Sequence, residues 1–504
     1  MHPTRAQCAL ALRSKLRATV NANHDIDEKR RPELTIRGLI IGVIITLVFT
    51  AANVYFGLKA GLTFSTSIPA AVISMAILRN FRNATVQENN IVQTVASAAG
   101  TLSSIIFVLP GLIMIGWWTG FPFWISFLIC ALGGILGVMY SIPLRRALVT
   151  NSDLPYPEGV ACAEMLKVGS GDKASASEVE QGRAGLLAVL WGSIVSAAFA
   201  IIVATQLFAA DVAQTFRLRR DSVSGYDFNL SFALFGVGHL VGLSVGIAML
   251  VGAFIGWGWG VPYYSQIATD LIHSGAALPT TEAFGKLVKA VNAGEVPAIA
   301  HQTWSNYVRY IGAGAIGISA IWTLVKLVKP VVSGLASAMA ANRARKEGKS
   351  ATLPITERDI PIGMVTATIL VSMIPIGLLL YAFANTPPIA GNPGATIAIS
   401  IVYILIAGVV IAAVCGYMAG LIGASNSPIS GVGILSVVGI SLILALLFPG
   451  VGGDLSKSLV AFALFVTAII FGVATISNNN LQDLKQVSLS KRRRGGSKSP
   501  LCSA

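Results

Sequence analysis

Charge is what this chain has least of. Of its 504 residues only 12% are Asp, Glu, Lys or Arg, against roughly 25% in an ordinary soluble domain, which argues against a soluble globule of this size. Histidine is sparse, and His2, His24, His239, His273 and His301 form neither an HExxH motif nor a pair at helical spacing. An intramembrane metalloenzyme is disfavoured on that ground. The cysteines, Cys8, Cys130, Cys162, Cys415 and Cys502, are far apart and make no CxxC pair or disulfide framework. No cofactor and no metal site is implied. A GxxxxGK[ST] loop is missing, which disfavours an ATP-driven pump. The basic N-terminal stretch lacks an apolar core of signal-peptide length, so nothing suggests its removal. Weak alternating segments of a β-barrel are absent too.

What the chain does have is apolar sequence, 54% hydrophobic residues, in uncharged runs of roughly 18 or more, the length that spans a hydrocarbon core. Apolar runs, some with a charge at an end, cover about 37–58, 61–78, 87–118, 121–144 and 184–210, then 307–326, 360–383, 396–423, 429–449 and 458–476. The long stretch from Asn229 to Ile267 reads as two short passes broken near Gly236, Gly238 and His239. The fold class expected is an all-α polytopic membrane protein with about twelve crossings and broken or re-entrant helices. The net charge of +14 does not point to nucleic acid, because the basic residues flank the apolar runs, as the positive-inside rule requires. Arg79, Arg82, Arg145, Arg146 and the loop from Lys326 to Arg358 place both termini in the cytoplasm, and the integral membrane localisation expected is a bacterial cytoplasmic (inner) membrane. Residues 1–36 read as a basic and polar tail, 37–484 as the transmembrane domain and 485–504 as a basic, disordered tail.

An internal echo suggests a repeat, with a first copy over about 37–150 and a second over about 396–484. Ala60-Gly61-Leu62-Thr63-Phe64-Ser65-Thr66-Ser67-Ile68-Pro69 matches Ala419-Gly420-Leu421-Ile422-Gly423-Ala424-Ser425-Asn426-Ser427-Pro428, and Asn89-Asn90-Ile91 is echoed by Asn479-Asn480-Leu481. Gly, Ser and Pro interruptions at matching places are the mark of broken helices, whose freed backbone groups can bind a polar solute.

Four places carry the polar side chains such a site needs. Asn53, Tyr55 and Lys59 accompany the first break, with Ser67 in it. Glu88, Asn89, Asn90 and Gln93 open the third run. Leu154-Pro155-Tyr156-Pro157-Glu158-Gly159 is a rigid turn whose Glu158, with Glu164 beyond it, stands at the end of the fourth run. Ser425, Asn426 and Ser427 occupy the second break, and Asn479 and Gln482 follow. Glu88, Glu158 and Glu164 are the acids near a span in a motif-rich setting and the candidates for proton coupling or gating, Glu158 first among them. Each also has a plain reading as a cap, a snorkelling chain or a solvated charge.

Asn90 to Gly100, Leu154 to Gly159, Gly423 to Gly431 and Asn479 to Lys485 together resemble the oligopeptide transporter (OPT) superfamily, in its prokaryotic branch related to the yellow stripe-like metal-chelate transporters. The resemblance covers about 33–485. It implies secondary active, proton-coupled uptake of oligopeptides or metal-chelate-like small solutes, with the lipid bilayer, protons and a small-molecule or peptide substrate as partners; a homo-oligomer is left open. One departure stands out, since after Lys485 the chain gives a basic segment where the family continues into apolar spans. The tail therefore reads as truncated or frameshifted, or as a genuine basic tail for anionic lipids. The rival functions are a channel or passive pore, a transport-incompetent truncated member and, from another class, an intramembrane enzyme.

Overall fold

A computed structural model of the chain describes residues 34–490, apart from 62, 82–83, 151, 170–175, 219–220, 276–281, 347–359, 385–392, 428 and 451–453. Helix α1 (Ile36–Ala60) starts where the Thr35 hydroxyl accepts the Gly38 N–H and stops at Gly61, whose φ of 67° is left-handed. That is the glycine-terminated end a helix commonly takes. Helix α2 (Ser67–Leu78) follows, then α3 (Val86–Leu102), capped by the Thr85 hydroxyl on the Glu88 N–H. A 3-10 segment and the short α4 (Pro110–Met114) lead to α5 (Phe123–Arg145), α6 (Pro157–Gly169) and α7 (Ala176–Ala204).

The charged loop after α7 forms an antiparallel hairpin, β1 (Asp211–Arg217) with β2 (Val223–Asn229), and is followed by α8 (Phe232–Val241), α9 (Leu243–Ala253) and α10 (Val261–His273). Helices α11 (Glu282–Ala293), α12 (Val296–Thr303), α13 (Arg309–Lys346), α14 (Ile362–Ala384), α15 (Pro393–Ile422), α16 (Ile429–Leu447) and α17 (Asp454–Ser490) complete the order.

Among the described residues eight helices are long and apolar enough to cross a membrane, with two shorter apolar ones, Ser67–Leu78 and Ile194–Ala204. The polytopic helical class therefore stands, with eight such spans where about twelve crossings were expected. Part of the difference lies in Asn229 to Ile267. The break falls at Gly242 (φ 84°), not near Gly236 to His239, and α9 to α10 run on as one 31-residue span. The fifth run contributes only a short apolar end of α7, and the basic stretch after Lys326, expected as loop, is helical to Lys346. Helix α17 continues past the expected boundary at 484 to Ser490, while residues 1–33 and 491–504 of the expected tails lie outside the described residues.

The apolar core is built round α17, 83% of whose apolar window is buried, against 11% for Leu243–His273. It packs on α5, α15, α16, α6 and α3. At the α5 crossing glycine faces glycine: a Cβ on Gly133 would sit 2.8 Å from the Ile469 carbonyl oxygen and 3.1 Å from the Gly472 Cα. One turn on, a Cβ on Gly137 would meet Ile476 at 2.9 Å, and Ser477 Oγ donates to the Gly137 carbonyl at 2.9 Å. A separate apolar cluster, including Val223, Val261, Leu287 and Ile299, joins the hairpin to α10, α11 and α12.

Candidate functional site: two interrupted helices

Two helix pairs, α1–α2 and α15–α16, are each interrupted by a short irregular segment, and the two segments meet. Both helices before the gap end at a left-handed glycine, Gly61 (φ 67°) and Gly423 (φ 90°). The sequence echo had paired Gly61 with Gly420. Gly420 instead lies inside α15, so the structural correspondence is three residues further on, and Pro69 lies inside α2 rather than in the gap. Matching small residues by type could not see which glycine the backbone needs at positive φ. The second echo is not positional either, since Asn89 sits in the first turn of α3 and Asn479 far inside α17.

The first interruption is held by Asn53, which is 0% exposed. Its amide nitrogen donates to the carbonyls of Phe64 at 3.1 Å and Gly100 at 3.0 Å, and its oxygen accepts the Phe64 N–H at 3.2 Å. Gly100 is required here, because a Cβ would lie 2.5 Å from Thr66 Oγ1.

The second interruption is held by Glu158 and Gln482. Glu158 Oε1 accepts the Ser425 N–H at 3.0 Å and Oε2 accepts from Gln482 Nε2 at 3.2 Å, while Gln482 Oε1 accepts the Ala424 N–H at 2.9 Å. Tyr156 sets up this contact. It is fully buried at a left-handed φ of 45°, and its N–H donates to the Gly420 carbonyl at 2.8 Å. A non-glycine residue in that region costs about 1–2 kcal/mol, so the turn delivering Glu158 is held by its surroundings. Burial pushes both the Tyr156 phenol and the Cys162 thiol up. The two interruptions are tied directly: the Ser65 N–H donates to Ser425 Oγ at 3.0 Å.

Between them lies a cavity of about 410 Å³, inside the range of roughly 300–1,000 Å³ common for small-molecule sites. Ser65 and Thr63 line it from one gap, Ser425 and Ser427 from the other, and Thr467 and Phe471 from α17. Among the described residues no charged side chain is in its lining. The hydroxyls of Ser427 and Thr467 are buried and have no hydrogen-bond partner among the described residues, an arrangement that leaves polar groups for a solute to satisfy.

Behind the cavity is a belt of buried carboxamides around one carboxylate. Asp483, 2% exposed, accepts from Gln93 Nε2 at 3.1 Å and Asn479 Nδ2 at 3.0 Å. Gln486 Nε2 donates to Asn90 and Gln93, both at 2.7 Å. Asn479 Oδ1 accepts from Ser97 Oγ at 2.8 Å, and Ser97 and Ser67 share a hydrogen bond at 2.7 Å.

Of the residues singled out in the sequence, Ser67, Asn90, Gln93, Ser425, Ser427, Asn479, Gln482 and Glu158 thus belong to the cavity or the belt, with Asn53 as a brace. Others do not converge there. Tyr55 is on the outer face of α1 at 56% exposure, because it lies two residues from Asn53 on a helix whose opposite side is buried. Asn426 caps α15, donating to the Ile422 carbonyl at 3.3 Å. Asn89 accepts from Ser74 Oγ at 2.8 Å, tying α2 to α3. Glu88 is in a bidentate ion pair with Arg37, at 2.6 and 2.8 Å, and also accepts from Thr35. It ties α1 to α3 with its charge already matched. Glu164 is exposed on α6, and the Lys59 side chain lies outside the described residues. Thr467 escaped the sequence reading, Ser97 stood in a motif stretch without a role, Asp483 was noted beyond the second break but not weighed as a coupling acid, and Gln486 went unnoticed. The signal that finds the last two is spacing: Asn479, Asp483 and Gln486 are four and three residues apart on one helix face.

These features define a polytopic helical membrane protein whose polar interior is organised by two interrupted helices. The family profile described as "OPT oligopeptide transporter protein" matches residues 33–490, and the chain belongs to that family, whose members are transporters, not enzymes. It is 42% identical over 440 residues to a Haemophilus influenzae protein named "Putative oligopeptide transporter", covering 86% of this chain and 64% of that one. It is also 28% identical over 281 residues to the iron-phytosiderophore transporter YSL15 of Oryza sativa subsp. japonica, covering 48% of this chain and 40% of that protein. With the metal-nicotianamine transporter YSL2 of the same plant it shares 26% over 280 residues, 45% of this chain and 39% of the other. The chain thus spans less than two thirds of the length of these relatives.

Proposed function

We propose that the protein is a secondary active transporter that takes up oligopeptides or metal-chelate-like small solutes across a bacterial cytoplasmic membrane, driven by protons, with both termini in the cytoplasm. The observation that carries the reading is the cavity between the two interruptions, with its unpartnered Ser427 and Thr467 hydroxyls. Helices α1 and α15 end at its edge and α2 and α16 begin there, so carbonyl ends and N–H ends of helices both reach it. A zwitterion such as a peptide meets complementary partial charges in that setting without a charged side chain. Ser67 and Ser97 with the carboxamides Asn90, Gln93, Asn479 and Gln482 form the polar wall behind the solute. Glu158 has the gating role, since it holds the backbone of the second interruption.

The names of the relatives support both solute classes. The test is uptake into proteoliposomes with and without an imposed pH gradient, using radiolabelled di- to tetrapeptides and iron(III) chelates. Saturable accumulation that collapses with the gradient is expected. Flux that does not saturate and never exceeds equilibrium would instead make the protein a passive pore.

A further inference from the structure

Three acids stand near the site, and their surroundings differ. Glu88 is matched by Arg37, and Glu158 is half-buried and takes up a backbone N–H and a carboxamide. Asp483 is fully enclosed, its hydrogen bonds come only from the carboxamides of Gln93 and Asn479, and no cation pairs with it among the described residues. The titratable groups on the helices packed against this part of α17 are Glu88 on α3, Cys162, Glu158 and Glu164 on α6, Tyr140, Arg145 and Arg146 at the end of α5, and Cys415 and Tyr417 on α15. On its own helix is Lys485, whose ammonium stands over the Tyr156 ring at 5.7 Å. An ionised carboxylate held away from water without a counter-ion is costly, and a proton removes the cost.

Asp483 is also wired to the cavity. From its Oδ2 the chain of hydrogen bonds runs through Asn479, Ser97 and Ser67 to Ser65, the last step being 3.1 Å. Ser65 donates across the gap to Ser425, whose N–H is held by Glu158, and Glu158 returns through Gln482 to α17 beside Asp483. The hydrogen bonds and the helix backbone therefore close a ring that passes through both interruptions.

We propose that Asp483 is the group that carries the coupling proton, and that the Asn479–Ser97–Ser67–Ser65 string reports its protonation to the solute cavity. This rests on the proposed proton-driven uptake. Glu158 is then a positioning residue for the second interruption. When Asp483 is protonated, the oxygen facing Asn479 can donate to a carboxamide oxygen, so Asn479 turns its amide, and Ser97 and then Ser67 exchange donor and acceptor roles with it.

The wild-type full chain is treated with dicyclohexylcarbodiimide, which reacts with a carboxyl in its protonated form, and the labelled peptides are identified by mass spectrometry. Label on Asp483 that falls as pH rises is expected, and label confined to Glu158 or Glu88 overturns the assignment. In proteoliposomes, with radiolabelled trialanine and iron(III)-nicotianamine as probes, Asp483→Asn is expected to lose gradient-driven accumulation by about tenfold or more, with exchange reduced far less and Asp483→Glu restoring part of the accumulation. Normal accumulation by Asp483→Asn overturns the proposal. If wild type itself accumulates neither probe under a gradient, proton-driven uptake of these solutes fails, and the labelling still decides where the protonated carboxyl is. A poorly folded Asp483→Asn leaves the decision to the same labelling.

Discussion

The two interruptions look alike in backbone and differ in what holds them. The gap after α1 is pinned by Asn53, an uncharged side chain with three hydrogen bonds to main chain. The gap after α15 is held by Glu158, whose grip on the Ser425 N–H depends on a charge, and by Gln482, which touches that same carboxylate. A neutral amide holds equally well at any pH, whereas a carboxylate lets go of part of its bond when it is protonated. On the proposed reading the first interruption is then a fixed wall and the second a movable one.

Six substitutions test that contrast. Asn53→Leu should have the largest effect, lowering stability by about 3 kcal/mol, because it strands buried main-chain groups of Phe64; thermal unfolding in detergent measures it, and a loss under about 1 kcal/mol would remove Asn53 as a brace. Next, Gly423→Ala should cost about 2 kcal/mol and Gly61→Ala about half that. Both are left-handed, but a Cβ on Gly423 would meet Glu158 Oε1 at 2.7 Å while nothing among the described residues lies within 4 Å of one on Gly61. Equal losses would mean that Glu158 does not press on the second gap.

Glu158→Gln keeps an acceptor for the Ser425 N–H and removes its charge, worth about 1.5 kcal/mol. Hydrogen exchange should quicken roughly tenfold in peptides covering 423–427 and stay unchanged over 63–66. Quickening at both gaps alike would erase the distinction between wall and gate. The smallest effects concern the tie between the gaps. Ser425→Ala removes the acceptor of the Ser65 N–H and should loosen that amide by about 1 kcal/mol, whereas Ser65→Ala keeps the tie, which its backbone makes, and should cost about half as much. The reverse order, read by exchange at residue 65, would show that the side chain of Ser65 and not its backbone links the two.

Sequence alone located most of this, and where it fell short the reasons are physical. Apolar length marks a span whether the helix faces lipid or protein, so Leu243–His273 and α17 read alike although one is almost wholly uncovered and the other is the centre of the core. Gly and Ser clusters located both interruptions, but only backbone dihedrals pick Gly423 over Gly420. Asp483 was passed over as a coupling acid because it lies beside Lys485 at the end of an apolar run, where a charge normally marks the interface. Helix α17 goes on to Ser490, and that continuation keeps Asp483 indoors. The hairpin was not predicted, because the segment from 211 to 229 carries charges at Asp211, Arg217, Asp221 and Asp227 and no long apolar run. Val212, Thr215, Phe216, Val223, Tyr226 and Phe228 within it carried the strand signal.

The glycine crossing at Gly133 and Gly472 also acts as an angular reference. With no side chain to cushion the contact, α17 cannot roll or slide there, and its rotational setting is fixed seven residues before Asn479. One residue inserted between 473 and 478 would turn everything beyond by about 100° and advance it by about 1.5 Å. Asn479, Gln482, Asp483 and Gln486 would then face apolar neighbours instead of Ser97, Glu158, Gln93 and Asn90. In this stretch the count of residues matters more than their identity, so a single-codon insertion or deletion is expected to be far more damaging than any conservative exchange.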